Sequence, residues 1–390
     1  MFNRLKSLTG LAIVVLFAVF GPLHVADAGE IPIGAMFNVT GGMSHIGGPG
    51  MNGAELAVDL INKRGGLLRG RMVSLKGFDT KTRLDVCTSD ARRLISERVV
   101  AALGYGDSDP AYIVGREFEK AEIPFVTSGA TDPDLPARIG KYFFMAAYGD
   151  NVQAEAVADF AYDDKDVRSV AIWVNESSDF TKKFAGYFKQ RFLSRGGKIV
   201  TEETYPKGEK DFSDLIDRLK SIKPRPDGLL VSAIPEDAEP SVSQVRRAGI
   251  EIPILSGDGF DSDIVERLGN KELADEVFFS THSFRFANRP LVKEFKKAYG
   301  EKFGKAPENA FAALGYDAVN LIADAIQRTD STDPRKIVAA LAETKNFPAV
   351  TGTISYTSNS RVPLKPVAII GILKGKYKLM KTWRPNGSSD

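Results

Sequence analysis

Apolar and polar positions alternate with two different periods along most of this chain. Ile31–Phe37 (IPIGAMF) is a short apolar run, which predicts a buried strand. Gly53–Asn62 (GAELAVDLIN) repeats its apolar residues at helical spacing, and Arg64-Gly65-Gly66 supplies a stop with glycine where helices end. Met72–Phe78, Val99–Leu103 and Pro124–Thr127 predict further strands. Val86–Glu97 and Ala111–Ala121 predict the helices between them. This βαβαβαβ order implies a parallel sheet with helices on both faces. The pattern restarts after about residue 148. Strands are predicted at Ser169–Val174, Lys198–Glu203, Gly228–Ala233 and Ile252–Leu255. Helices are predicted from Asp150 to Tyr162, Phe180–Ser194, Asp211–Ile222 and Glu239–Ala248. The last third holds three helical stretches, Pro290–Phe303, Asn309–Arg328 and Pro334–Thr344. Three strand-like runs follow, Gly352–Tyr356, Val367–Leu373 and Tyr377–Trp383. Giving those helices to the first unit and those strands to the second makes the chain cross between lobes about three times.

The first 28 residues do not fit this pattern. Arg4 and Lys6 precede an apolar run from Leu8 to Phe20, then Gly21-Pro22 and a small-x-small sequence, Ala26-Asp27-Ala28. The order reads as a cleavable signal peptide over residues 1–28. The run falls short of the ~20 residues of a spanning helix. A soluble, exported protein starting at Gly29 is therefore expected. The 390 residues, at about 100–200 per domain, suit two domains. With 52 Lys+Arg against 50 Asp+Glu, the balance argues against nucleic acid as the main partner. The single cysteine, Cys87, excludes an internal disulfide and reads as a small buried residue. Only three histidines occur, His24, His45 and His282, and neither His45 nor His282 has an evident partner in sequence.

Chemistry concentrates in three loops. Gly48-Pro49-Gly50-Met51-Asn52-Gly53 matches G-x-G-x-x-G, but ten residues separate it from the preceding strand. A dinucleotide fingerprint needs its first glycine in the tight turn straight after the strand. The run reads as a glycine-rich loop able to line a cleft, with a nicotinamide- or flavin-linked enzyme as the alternative. Gly104-Tyr105-Gly106-Asp107-Ser108-Asp109-Pro110 follows the third strand, with Ser108 or Asp109 as helix cap. Thr127-Ser128-Gly129-Ala130-Thr131-Asp132-Pro133 follows the fourth. Both loops leave carboxyl ends of strands, where open α/β sheets bind ligands, and their N–H groups and hydroxyls suit a carboxylate. Asp258, in Leu255-Ser256-Gly257-Asp258-Gly259-Phe260, is either a turn residue or a negative charge offered across a cleft to an ammonium. No catalytic or zinc-site sequence is found: G-x-S-x-G, H-E-x-x-H and C-x-x-C are all missing. Nothing requires a cofactor or a metal.

The strings IPIGAMFNVTGG, GPGMNGAELAVDLINKRGG, GYGDSDPAY, IPFVTSGATDPDL, KGEKDFSDLIDRLK and VTGTISY resemble the branched-chain amino acid (Leu/Ile/Val) solute-binding proteins of ABC transporters, from about Ile31 to Trp383. The resemblance implies an α/β fold of the type I periplasmic binding protein kind: two Rossmann-like parallel-sheet lobes joined by three hinge crossovers. It places residues 29–147 with 281–351 in lobe 1, and 148–280 with 352–390 in lobe 2. It implies a monomeric, non-enzymatic periplasmic receptor that binds a small amino acid by hinge closure and meets an inner-membrane permease. Ser108 and Thr131 would hold the α-carboxylate, with backbone groups of Gly129 and Ala130. Asp258 would hold the ammonium, and Ile46, Phe180 and Ile234 would face the side chain. The family often has tyrosine where Phe180 stands, a tyrosine near Ile46 and an arginine near Met145. These departures leave other ligands open, namely an amide, urea or an aromatic carboxylate. A ligand sensor for a membrane receptor is also left open.

Overall fold

The computed structural model describes residues 29–282 and 286–386. The expected signal peptide lies outside them. Five parallel strands form the first sheet: β1 (Ile31–Phe37), β2 (Val73–Asp79), β3 (Ala101–Gly104), β4 (Phe125–Thr127) and β5 (Phe143–Met145), in the order β2-β1-β3-β4-β5. The second sheet runs β7-β6-β8-β9-β10-β13-β14. Its strands are β6 (Ser169–Asn175), β7 (Lys198–Tyr205), β8 (Gly228–Ser232), β9 (Ile254–Ser256), β10 (Val277–His282), β13 (Val367–Leu373) and β14 (Lys376–Trp383). β6 to β10 pair in parallel, and β13 and β14 close that edge antiparallel. The short strands β11 (Phe347–Ala349) and β12 (Gly352–Ile354) pair with each other alone.

Helices cover both faces of each sheet, so the central strands are apolar throughout rather than alternating. One face of the first sheet packs on the helices Ser44–Lys63 and Ala310–Thr329, and the other on Leu84–Ser96 and Ser108–Lys120. Two further cores flank the second sheet. The chain passes between lobes after β5, after β10 and after β12. The crossings are laced together. Lys365 Nζ donates to the Ala146 carbonyl at 2.7 Å and to Thr351 Oγ1 at 2.5 Å, and Tyr356 Oη donates to the Met145 carbonyl at 2.8 Å.

Four expectations are corrected. The run Gly352–Tyr356, assigned to the second lobe, packs Ile354 and Tyr356 into the core of the first sheet, so that crossing lies beyond Tyr356. β10 keeps residues 281 and 282 in the second sheet. Strands β5, β10 and β11 have no predicted counterpart. The glycine-rich run is not a loop but the opening turns of the helix Ser44–Lys63. Its glycines let backbones meet. A Cβ on Gly47 would stand 2.0 Å from the Asn38 carbonyl oxygen, and one on Gly53 1.8 Å from that of Ala312. No helix among the described residues is long and apolar enough to cross a membrane.

Candidate functional site

β3 and β4 deliver their following loops side by side. Gly104 permits this, because a Cβ there would lie 1.9 Å from the Met36 carbonyl oxygen. Asp107, not Ser108 or Asp109, is the helix cap, and the helix begins at Ser108 with Asp109 and Pro110 in its first turn. The two loops are tied directly: Ser128 N–H donates to the Gly104 carbonyl and Gly129 N–H to that of Tyr105, both at 3.0 Å. Asp132 N–H donates to Ser108 Oγ at 3.3 Å. Ala130 N–H donates to Thr127 Oγ1 at 3.2 Å. The N–H groups of Gly129 and Ala130, expected to serve a carboxylate, are thus committed within the loops, and these residues can offer a ligand carbonyl oxygens instead. Ser108 sits buried at the positive head of the helix, and Thr131 is buried in the neighbouring loop.

Asp258, Phe180 and Ile234 come from the second lobe. Asp258 follows β9, Phe180 lies in the first turn of the helix Asp179–Ser194, and Ile234 caps the helix Pro235–Arg247. With Ile46, Ser108 and Thr131 they line one cavity between the lobes, of about 310 Å³ including its opening to solvent. Met43 and Phe311, which sequence reasoning passed over, share that lining. Phe311 stands at the start of a helix that reads as plain core. Its contact with the site depends on Gly106 and Gly129, whose added Cβ atoms would each fall 2.8 Å from its ring. The pair of glycines at equivalent places in the two loops was the available signal.

A buried polar network backs Asp258. Gln153 Nε2 donates to Asp258 Oδ1 at 3.1 Å and to Asp150 Oδ1 at 2.9 Å. Gln153 Oε1 accepts from Asp258 N–H at 3.2 Å and from Ser280 Oγ at 2.7 Å. His282, without an evident partner in sequence, places Nε2 3.5 Å from Asp258 Oδ2, with its ring stacked 4.0 Å from that of Tyr148. Burial holds its imidazole below the usual range, against the pull of Asp258. Burial pushes the Asp150 carboxyl well above its usual range, opposed by the Thr131 hydroxyl and aggravated by Asp258. Asp107, also in the lining, is pushed up to about 7 by burial and by the neighbouring Asp109.

The lobes touch across the cleft mouth. Lys183 Nζ, from the second lobe, lies 2.6 Å from both Asp132 Oδ1 and Asp134 Oδ2 of the first. On the other side His45 Nδ1 lies 3.1 Å from Asp263 Oδ1, and Arg267 Nη1 is 3.1 Å from His45 Nε2. His45, too, therefore has partners that the sequence did not disclose.

A family model described as periplasmic binding protein matches residues 30–376. The chain is 29% identical over 348 residues to Leu/Ile/Val-binding protein homolog 3 of Brucella melitensis biotype 1, covering 89% of this chain and 92% of that protein. Its structure is similar to that of the branched-chain amino acid transporter substrate binding protein LivJ from Streptococcus pneumoniae in complex with isoleucine. The TM-score is 0.85 at 28% identity, over 91% of this chain and 100% of that one. Leucine binding protein LivK from Thermotoga maritima gives a TM-score of 0.84 at 28% identity, over 91% and 99%. These similar proteins and this fold are those of solute binders, not enzymes.

Proposed function

The chain belongs to the periplasmic binding protein family, and from that premise we propose that it is the receptor of an ABC importer for an α-amino acid with an apolar side chain. The family implies a place outside the cytoplasm, which agrees with a signal peptide cleaved before Gly29. The observation that carries the reading is one cavity lined by opposite chemistry from two lobes. Ser108, at a helix N-terminus, and Thr131, in the loop beside it, suit a carboxylate, and Asp258 suits an ammonium. Met43, Ile46, Ile234, Phe180 and Phe311 form an apolar wall between them. That wall suits a branched aliphatic side chain, and Phe180 presents a ring without a hydroxyl.

Closure follows from these contacts. A ligand held by Ser108 and Thr131 alone favours neither open nor closed form. One that also reaches Asp258 binds the closed form better and shifts the population toward it. The closed monomer then presents both lobes together to a permease. Ligand release needs no bond to break, in keeping with a receptor that binds without chemistry.

A second reading, an aromatic carboxylate, is favoured by the two phenylalanines in the lining. Asp258 opposes it, since such a ligand would leave a buried carboxylate unpaired. A thermal-shift screen with L-leucine, L-isoleucine, L-valine, benzoate, urea and NAD separates the classes, because a ligand of the folded state raises the melting temperature by mass action. The first three are expected to raise it. Calorimetry on Asp258→Ala is expected to show amino-acid affinity reduced by roughly 3–5 kcal/mol, with folding spared. Unchanged affinity would remove Asp258 from the site, and a shift with NAD alone would end the receptor reading.

A further inference from the structure

Resting on the amino-acid reading above, we propose that Gln153 is a positioning residue that makes the site selective for the ligand's amine. It does not itself line the cavity. It acts through Asp258.

The geometry is that of a two-point clamp. The Gln153 side-chain amide is fully buried and faces Asp258 in two directions at once: Nε2 donates to Oδ1 of the carboxylate, and Oε1 accepts the N–H of the same residue. A carboxylate held at one oxygen and at its own backbone cannot swing. Its other oxygen, Oδ2, stays on the side where His282 Nε2 lies at 3.5 Å. Gln153 is itself held at both ends, with Ser280 Oγ donating to Oε1 and Asp150 Oδ1 receiving Nε2–H. Both N–H donors and both acceptor lone pairs of the amide are thereby used.

The clamp also spans the hinge. Gln153 lies one turn into the helix Asp150–Asp159 that opens the first crossing. Asp150 N–H donates to the Thr131 carbonyl at 2.6 Å. The residue proposed for the carboxylate and the residue proposed for the ammonium are thus joined through Asp150 and Gln153. A positioned acid matters only to a ligand that carries an amine. A merely structural glutamine would affect every ligand of the closed cleft alike.

The test compares L-leucine with 4-methylpentanoate, the same skeleton without the amine, by calorimetry on wild type, Gln153→Met and Ser280→Ala. Gln153→Met keeps the length and removes the clamp. Ser280→Ala leaves the amide in place but removes one of the two donors to its Oε1, and so serves where the first variant folds poorly. L-Leucine affinity is expected to fall ~10–100-fold in Gln153→Met, the range of a hydrogen bond to a charged group. It is expected to fall by a smaller factor in Ser280→Ala, while 4-methylpentanoate affinity stays within twofold in both. Equal losses for the two ligands, or no loss for either, would overturn the assignment and leave the amino-acid reading standing. A wild-type protein that does not bind L-leucine would end that reading and this assignment together.

Discussion

At the scale of single residues, two absent side chains shape the cavity. Gly106 and Gly129 leave the space that the Phe311 ring fills, and a methyl group on either would lie 2.8 Å from ring carbons. Gly129→Ala is therefore expected to push that ring into the cavity. It should lower the melting temperature by an overpacking cost of about 1–3 kcal/mol and weaken ligand binding as well, both measurable by calorimetry. Lys365 shows the opposite problem, a charged side chain that is fully buried. Burial lowers its ammonium to about 8, partly offset by Asp317, while the unfolded chain keeps the ordinary value near 10.5. The lysine thus destabilises the fold fully below pH 8, where folding must bury a charge. Between pH 8 and about 10.5 the unfolded state binds the extra proton, so this contribution to stability rises with pH. Over that window the wild-type melting temperature should gain on that of Lys365→Met. A flat difference would show that Lys365 keeps its ordinary proton affinity.

At the scale of elements, the helices Ser44–Lys63 and Ala310–Thr329 decide how the first lobe packs. Gly53 meets the Ala312 carbonyl, and a Cβ on Gly315 would stand 1.9 Å from the Gly50 carbonyl oxygen, so each helix uses glycine to admit the other's backbone. Gly53→Ala is expected to be among the most damaging small substitutions in the chain, because the obstacle is backbone rather than a side chain that can turn away. Chemical unfolding should show a loss of at least about 1–3 kcal/mol. The same string matches a dinucleotide fingerprint but reads in sequence as a glycine-rich loop. What settled it was where the helix begins: from Ser44 onward the glycines lie within helical turns, where Gly50 and Gly53 pack against neighbouring atoms. Most other elements were legible, β1 and β13 to the residue, because long apolar runs and helical periodicity are local signals. β5, with three residues, is too short for periodicity to register, and β10 carries a polar end, Ser280 to His282.

At the scale of the whole molecule, the Lys183 contacts with Asp132 and Asp134 exist only while the lobes are together. Asp132 is buried and also takes Arg138 at 2.9 Å, so its pair with Lys183 is less screened than a surface bridge. Lys183→Met should therefore favour the open form and weaken ligand binding several-fold, with the melting temperature of the ligand-free protein nearly unchanged. X-ray scattering should report a smaller radius of gyration on adding L-leucine to wild type, and a higher leucine requirement for the same change in the variant. An affinity equal to wild type would exclude Lys183 from the closing equilibrium.

The sequence by itself determined what local periodicity and loop chemistry encode. It determined two α/β lobes with a chain that crosses between them, and it located the loops that carry Ser108, Thr131 and Asp258. Periodicity reports which face of an element is buried, and a strand followed by a polar glycine-containing loop reports a sheet edge. Only the tertiary structure decided what those loops meet. It brought Met43 and Phe311 into the lining, committed the Gly129 and Ala130 N–H groups to neighbouring loop atoms, and set Gln153 and His282 behind Asp258. Several of those contacts join residues on different elements, Gln153 and Asp258 lying 105 positions apart, and hydrogen bonds and close packing fall off within a few ångströms. No pattern along the chain can report them until the fold has placed the partners side by side.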